Sequence, residues 1–214
     1  MKNFFASITI VATLLTACCT EKRDIKIACI GDSITEGMGI EWQSNNAYPA
    51  LLDSILGEGY EVINFGRSAT TMMLTGDFPY WSAKEFSNVL RYHADIIVLM
   101  LGTNDSKLFL WNAEKYASSY QLMIDTLKAT SPNANIMLCL PAYVSHDRWE
   151  ITDSVINNGV IPIVKQIANA NKLPIIDINS ALKNRDQLYC DDGIHPNKQG
   201  AKIIAETVAK KLRE

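Results

Sequence analysis

Ser33 is the residue whose surroundings best suit nucleophilic chemistry. A serine hydroxyl is a poor nucleophile at neutral pH until a positioned base takes its proton. Of the three histidines, only His195 has an acid at a short fixed offset, in the sequence Asp192-Gly193-Ile194-His195. A carboxylate there can reach the imidazole within one turn, select its tautomer and stabilise the imidazolium. The pattern predicts Ser33 as nucleophile, His195 as general base and Asp192 as the partner of the base.

An attack on an ester also needs hydrogen-bond donors for the negative charge that develops on the carbonyl oxygen. We expect three donors: the backbone N–H groups of Ser33 and Gly66 and the side-chain amide of Asn104. A glycine lets the backbone approach a substrate closely, and an amide donates without adding a charge. These groups are the predicted oxyanion hole.

Short apolar strands must bring these residues together. Each of the three predicted donors follows an apolar run, and an unbroken apolar run indicates a strand that is covered on both faces. Because strands and helices alternate along the chain, we expect one α/β domain with a five-stranded parallel sheet and helices on both sides. The predicted strands are 25–30, 62–65, 95–101, 135–140 and 173–178, and the predicted helices are 48–56, 83–92, 112–129, 162–170 and 197–211.

Four short motifs, in order, resemble the sequence blocks of the SGNH hydrolases, the GDSL-type esterases. They are Gly31-Asp32-Ser33-Ile34-Thr35, Asn64-Phe65-Gly66, Gly102-Thr103-Asn104-Asp105 and Asp192-Gly193-Ile194-His195-Pro196. The resemblance implies a flavodoxin-like three-layer α/β/α sandwich. It also implies a Ser33-His195-Asp192 triad and a Ser33/Gly66/Asn104 oxyanion hole. The first block departs from the name-giving motif only in having Ile34 where that motif has leucine.

Aromatic residues in two long loops are candidates for lining the substrate cleft. The loop 68–80 and its continuation could either stack aromatic rings on a sugar or pack them onto the sheet. The loop 142–158 is aromatic and polar. The candidates are Tyr80, Trp81, Tyr143, His146 and Trp149.

The first residues have the features of a bacterial export signal. Met1-Lys2-Asn3 precedes a short apolar run, and Leu15-Thr16-Ala17-Cys18 resembles a lipobox. We therefore expect a signal peptide over 1–17, a lipid anchor on Cys18, a tether over 18–24 and the hydrolase domain over 25–214. The predicted location is the cell envelope, on the periplasmic face or the cell surface. An ordinary signal peptide is the alternative.

Composition limits the other ligands that the chain could bind. Its net charge is −3 and no cluster of Lys and Arg is present, so we expect no nucleic-acid partner. Asp191, Asp192 and His195 lack the further ligands of a metal site, so no metal or cofactor is predicted. Cys29 and Cys139 lie in apolar runs as buried thiols, and no structural disulfide is predicted; Cys190 has no assigned role.

The leading hypothesis is a serine esterase that removes a short acyl group, expected to be acetyl, from a carbohydrate hydroxyl. It rests on Ser33, His195 and Asp192, on the predicted export and on the resemblance to members that deacetylate glycans. Two alternatives stay open: a lysophospholipase or thioesterase for longer acyl chains, and a glycan-binding lipoprotein without turnover. The sequence predicts no oligomeric state.

Overall fold

The computed structural model describes residues 24–214. The predicted signal peptide, the lipid anchor on Cys18 and nearly all of the tether lie outside these residues. Within them, no helix has both the length and the apolar character that crossing a membrane requires.

A five-stranded sheet forms the centre of the protein, and all of its strand pairs are parallel. The strand order is β2-β1-β3-β4-β5, so β1 and β3 lie inside the sheet and the chain changes winding direction next to β1. Ligands of such sheets bind where the order reverses, beyond the carboxyl ends of the strands. The strands are β1 (Ile25–Gly31), β2 (Tyr60–Gly66), β3 (Ile96–Met100), β4 (Asn135–Leu140) and β5 (Ile175–Asp177).

Nine α-helical segments in the described chain connect and cover these strands. Several end at residues with a left-handed backbone, as helices commonly do. Their bounds are α1 (Ser33–Glu36), α2 (Gln43–Asn46), α3 (Tyr48–Leu56), α4 (Lys84–Tyr92), α5 (Ala113–Thr130), α6 (Asp153–Val155), α7 (Ile161–Asn171), α8 (Ile178–Leu182) and α9 (Lys198–Leu212). Short 3-10 turns occupy Tyr80–Ser82, Asn104–Ser106 and Asp186–Leu188, and a π-helical turn occupies Ile156–Val160.

Alternate side chains of each strand enter separate cores on the two faces of the sheet. On one face Ala28 and Ile30 pack with buried residues of α4, α5 and α7. On the other face Ile27 and Cys29 pack with buried residues of α3 and α9. This division follows from the two-residue period of a strand. The predicted three-layer α/β/α sandwich is therefore confirmed.

Two predicted segments differ from the structure. The predicted loop 142–158 contains the start of a helix, since the Thr152 side chain accepts the Val155 N–H and α6 runs through the π-helical turn into α7. The predicted fifth strand is shorter, because the Asp177 side chain caps the short helix α8. In both cases a local side-chain cap starts a helix within a segment that was predicted as a loop or a strand.

Tyr80 and Trp81, candidates for lining the cleft, instead pack onto the core, which is the other alternative stated for this loop. Tyr80 is fully buried, and its hydroxyl donates to the Phe65 carbonyl oxygen at 2.6 Å. The Trp81 indole N–H donates to the Met72 carbonyl oxygen at 2.9 Å, and its ring packs edge-on against Phe86. Both aromatic side chains anchor the loop after β2 onto the core.

We expect Tyr80→Phe to lower the free energy of unfolding by about 1–2 kcal/mol, because the Phe65 carbonyl would lose its buried partner. The KM for ester substrates should not change. Urea denaturation and ester hydrolysis measure the two quantities. Tyr143→Phe is the matched control, since no hydrogen bond to the Tyr143 hydroxyl is present among the described residues. A raised KM for Tyr80→Phe would instead favour the predicted cleft role.

Candidate active site

Ser33 lies in the first turn of α1, directly beyond the carboxyl end of β1. The turn is held by Asp32, whose side chain caps α1 by accepting the Ile34 N–H at 2.9 Å. Burial raises the pKa of Asp32 to about 6, although the bond from Ile34 acts in the opposite direction. Asp32 thus shapes the turn that presents Ser33.

A chain of hydrogen bonds joins Ser33, His195 and Asp192. The imidazole Nε2 lies 2.8 Å from the Ser33 Oγ, and the imidazole Nδ1 lies 2.7 Å from the Asp192 Oδ2. The other oxygen of Asp192 accepts the N–H groups of Ile194 and His195 at 2.9 and 2.8 Å. The sequence placed these three residues in one site, and the structure brings them together.

The carboxyl of Asp192 is held in its ionised form. Partial burial acts to raise its pKa, but the His195 N–H, the imidazole and the Ile194 N–H outweigh burial, so the pKa lies below its usual value. An ionised partner favours the tautomer that carries a proton on Nδ1 and leaves Nε2 free to accept the proton of Ser33. This arrangement can activate a hydroxyl at neutral pH.

A cavity of about 430 Å³ opens beside Ser33; we call it the Ser33 cavity. Its volume is in the range of small-molecule sites. Its polar lining includes the catalytic candidates and Lys107, whose ammonium pairs with Asp77 at 2.6 Å. The lining residues are Ser33, Met38, Gly39, Ser68, Ala69, Thr103, Asn104, Lys107, Trp149, Ile151, Asp192, Ile194 and His195.

A comparison with known protein families shows the family of this chain. The model of the GDSL-like lipase/acylhydrolase family matches residues 29–203. The chain belongs to this family. The enzyme class predicted from the sequence, a serine ester hydrolase, is the class to which the family's acylhydrolases belong.

Similar proteins include carbohydrate esterases. An acetylxylan esterase of Xylanibacter ruminicola is 38% identical, and the match covers 88% of this chain and 43% of that protein. This chain therefore spans less than half of that relative. A solved acetyl xylan esterase is 24% identical with a TM-score of 0.69, covering 88% of this chain and 100% of that chain. A carbohydrate acetylesterase from Sinorhizobium meliloti is 18% identical with a TM-score of 0.71, covering 89% and 99%.

The structure corrects the prediction for Gly66. The Gly66 N–H already donates to the Asn64 side-chain oxygen at 2.8 Å, and Gly66 does not line the Ser33 cavity. A side chain at Gly66 would come within 2.2 Å of the Glu36 nitrogen. Glycine is therefore required here by the close packing of β2 on α1, and its N–H is not available to a substrate.

Ala69 lies in the same loop, three residues after Gly66. It lines the Ser33 cavity, and no hydrogen bond among the described residues uses its N–H. Its φ of +65° lies in the left-handed region, which is uncommon for a residue with a side chain. Sequence analysis missed Ala69, because no sequence pattern in an irregular loop predicts a positive φ at an alanine. Its only signal was its place three residues beyond β2.

Side-chain hydrogen bonds hold the loop around Ala69 in this conformation. Before Ala69, the Glu36 carboxylate accepts both the N–H and the hydroxyl of Ser68. After it, the Asn104 amide donates to the Thr70 carbonyl oxygen at 3.1 Å. Asn104 is buried and lines the cavity. Its bond to Thr70 uses one of the two amide hydrogens and leaves the second hydrogen for another acceptor.

Asp105 is a second anchor of this loop that sequence analysis missed. It is fully buried, and its two oxygens accept the N–H groups of Met72 and Met73 at 2.9 and 2.8 Å. Burial raises its pKa to about 7, although these two N–H groups act in the opposite direction. Its place directly after Asn104 was the signal that could have found it.

Of the three candidates in the loop after β4, only Trp149 lines the Ser33 cavity. The centre of its indole lies 6.0 Å from the centre of the His195 imidazole, and the Arg148 guanidinium covers the indole at 4.9 Å. The predictions for His146 and Tyr143 are corrected, because neither residue lines the cavity. The His146 ring packs over Gly193, and the Tyr143 ring packs against Tyr189.

The remaining titratable candidates lie outside the site or at its edge. Cys29 and Cys139 are buried thiols in the sheet, and Cys190 is partly exposed; all three are free. His93 ends α4 with a left-handed backbone, and its ring bonds to the Thr130 carbonyl oxygen, as expected of a capping residue. Residues 24–214 contain no group of His, Cys, Asp or Glu arranged as a metal site.

The raised pKa of Asp105 predicts a pH dependence of stability. In unfolded chains an aspartate loses its proton near pH 3.9, whereas folded Asp105 loses it near pH 7. Between these values the folded state binds more protons, so this group's contribution to stability is lost as the pH rises through 7. We expect the Tm of Asp105→Asn to fall less between pH 5 and pH 8 than the wild-type Tm.

Differential scanning fluorimetry at the two pH values tests this expectation. Asp125→Asn, on the exposed face of α5, is the control and should retain the wild-type pH dependence. Part of the dependence should persist in Asp105→Asn, because the pKa of Asp32 is raised as well. An equal fall in Tm for wild type and Asp105→Asn would contradict the assignment.

Proposed function

We propose that this protein is a serine esterase that removes acetyl groups from carbohydrate hydroxyls. The observation that carries the proposal is the hydrogen-bonded chain from the Ser33 hydroxyl through His195 to Asp192 at the wall of a cavity. Membership of the acylhydrolase family supports ester hydrolysis, and the similarity to an acetylxylan esterase supports an acetylated glycan as substrate.

In the proposed first step the Ser33 Oγ attacks the ester carbonyl carbon while its proton passes to the His195 Nε2. The Asp192 carboxylate stabilises the imidazolium that forms. The carbonyl oxygen becomes an oxyanion, and its donors are the Ser33 N–H, the Ala69 N–H and the free hydrogen of the Asn104 amide. Such donors are effective because they are oriented before the charge develops.

The tetrahedral intermediate then collapses, and the sugar hydroxyl leaves with the proton from His195. The acetyl group remains bound to the Ser33 Oγ as an ester. A water molecule next gives a proton to His195 and attacks the acetyl carbonyl, and the return of that proton to Ser33 releases acetic acid. The balanced reaction is acetylated sugar plus water to free sugar plus acetic acid.

The sugar ring would contact the walls of the Ser33 cavity next to the reacting atoms. Trp149 offers a half-exposed indole beside His195, suited to the C–H face of a ring. Lys107 offers donors for hydroxyls, and its charge is balanced by Asp77. The cavity thus combines one aromatic wall with a few polar groups.

We expect Ser33→Ala to reduce kcat for p-nitrophenyl acetate by on the order of 10⁴-fold or more, because the nucleophile is lost. Asn104→Ala should reduce kcat by about 100- to 1,000-fold, because one oxyanion donor is lost. Far-ultraviolet circular dichroism checks that both variants remain folded. Activity of Ser33→Ala near the wild-type value would exclude the proposed nucleophile.

Acyl-chain length distinguishes the acetylesterase from a lysophospholipase or thioesterase. The series from p-nitrophenyl acetate to longer esters should show a loss of kcat/KM beyond butyrate. Acetate release from acetylated xylan, measured by an enzyme-coupled assay, tests the glycan substrate directly. Greater activity on octanoate than on acetate would favour the long-chain alternative.

We expect the activity to fall as the pH is lowered from 8 to 5. Protonated His195 cannot accept the Ser33 proton, whereas Asp192 stays ionised because its pKa is lowered. The expected slope of log kcat/KM is about one per pH unit on the acid side. A flat profile between pH 8 and pH 5 would contradict a histidine base.

A further inference from the structure

A second cavity, of about 250 Å³, adjoins the Ser33 cavity; we call it the Trp42 cavity. Gly39 lines both cavities. Its φ of +80° favours glycine, and a Cβ there would come within 3.0 Å of the Cys190 Sγ, so the backbone packs closely on Cys190. Because the two cavities share this wall, a ligand longer than one ring can contact both. The Trp42 cavity is lined by Gly39, Ile40, Glu41, Trp42, Asn46 and Lys198.

Trp42 is the most exposed large hydrophobic side chain among the described residues, at 79% of its full exposure. Its backbone is left-handed, with a φ of 56°, a conformation that is unfavourable for a residue other than glycine. Two backbone N–H groups, of Asn45 and Asn46, donate to the Trp42 carbonyl oxygen and keep this turn in place. An exposed indole on an ordered, strained turn is typical of a binding position.

The chemistry around Trp42 suits a neutral polyhydroxylated ligand. Glu41 and Lys198 are exposed at the rim, and neither side chain forms a hydrogen bond or ion pair with any described residue. Their charges are opposite, so the rim has no net attraction for an ion. The C–H face of a sugar ring can pack on the negative face of the indole while Glu41 and Lys198 bind its hydroxyls.

We propose that the Trp42 cavity is a second sugar-binding subsite, occupied by the sugar next to the acetylated one. The acetylated sugar would then contact Trp149, and its neighbour would pass over Gly39 onto Trp42. The substrate is accordingly an acetylated glycan chain rather than a single sugar. This inference rests on the proposed function, because it assumes that the Ser33 cavity accepts an acetylated sugar.

The test compares three substrates: acetylated xylotetraose, an acetylated methyl xyloside and p-nitrophenyl acetate. Only the first is long enough to reach the Trp42 cavity. Wild type should prefer the tetraose over the xyloside. Trp42→Ala should reduce kcat/KM for the tetraose about tenfold, mainly through a higher KM, because a stacking surface is lost. Its activity on the other two substrates should stay within about twofold of wild type.

Two further variants separate stacking from a folding defect. Trp42→Tyr keeps a flat ring and should retain most of the preference for the tetraose. Phe109→Ala removes another exposed aromatic side chain, one that lines neither cavity, and should leave all three activities unchanged.

The outcomes distinguish this inference from the proposed function. An unchanged tetraose activity in Trp42→Ala, or an equal loss on all three substrates, overturns the subsite. Equal wild-type activity on tetraose and xyloside also overturns it and leaves the proposed function standing. Hydrolysis of p-nitrophenyl acetate without acetate release from either sugar overturns the carbohydrate substrate itself, and the subsite with it.

Discussion

The hydrogen bond between Ser33 and His195 joins residues that are 162 positions apart in the chain, and the geometry of the site depends on it. Its partners are carried by separate elements: Ser33 by the turn after β1, and His195 by the turn before α9. The parallel sheet makes their meeting possible, since β1 lies inside the sheet and α9 packs on one of its faces. Any shift of α9 along that face would change the distance over which a proton must pass.

A second constraint is the cost of keeping carboxyl groups buried near that hydroxyl. Asp32 and Asp105 are both buried and both have raised pKa values, yet each accepts backbone N–H groups from a turn at the site. Buried polar groups of this kind are tolerated when hydrogen bonds compensate for lost hydration. Here they stabilise irregular backbone that apolar packing alone would not specify, including the left-handed residue Ala69.

Polar side chains cluster at the carboxyl ends of the strands, whereas the surrounding loops determine the shape of the cavities. Trp149 and Trp42 lie on two loops from distant parts of the chain, and each has a left-handed backbone that directs an exposed indole outward. Strain at exposed loop positions is more often associated with ligand contacts than with stability. In the proposed function, residues at the strand ends carry out the reaction and residues of the loops select the substrate.

Sequence patterns were sufficient for the parts of the protein that depend on local periodicity. The apolar run at β3 and the alternation of strands and helices predicted the sandwich. The short offset between Asp192 and His195 likewise predicted their contact, because both lie in one turn. The N-terminal leader and lipid anchor stay predictions.

Gly66, Ala69 and Tyr80 show what the sequence by itself could not determine. Glycine at position 66 is explained equally well by close packing or by a substrate, and only its distance from α1 decides between the two. Likewise, the sequence of a loop does not show whether an aromatic side chain faces the core or a cavity. The sequence determined which residue types end the strands and which elements they form. The tertiary structure decided which N–H groups and rings reach the cavity, because that depends on contacts between segments far apart in the chain.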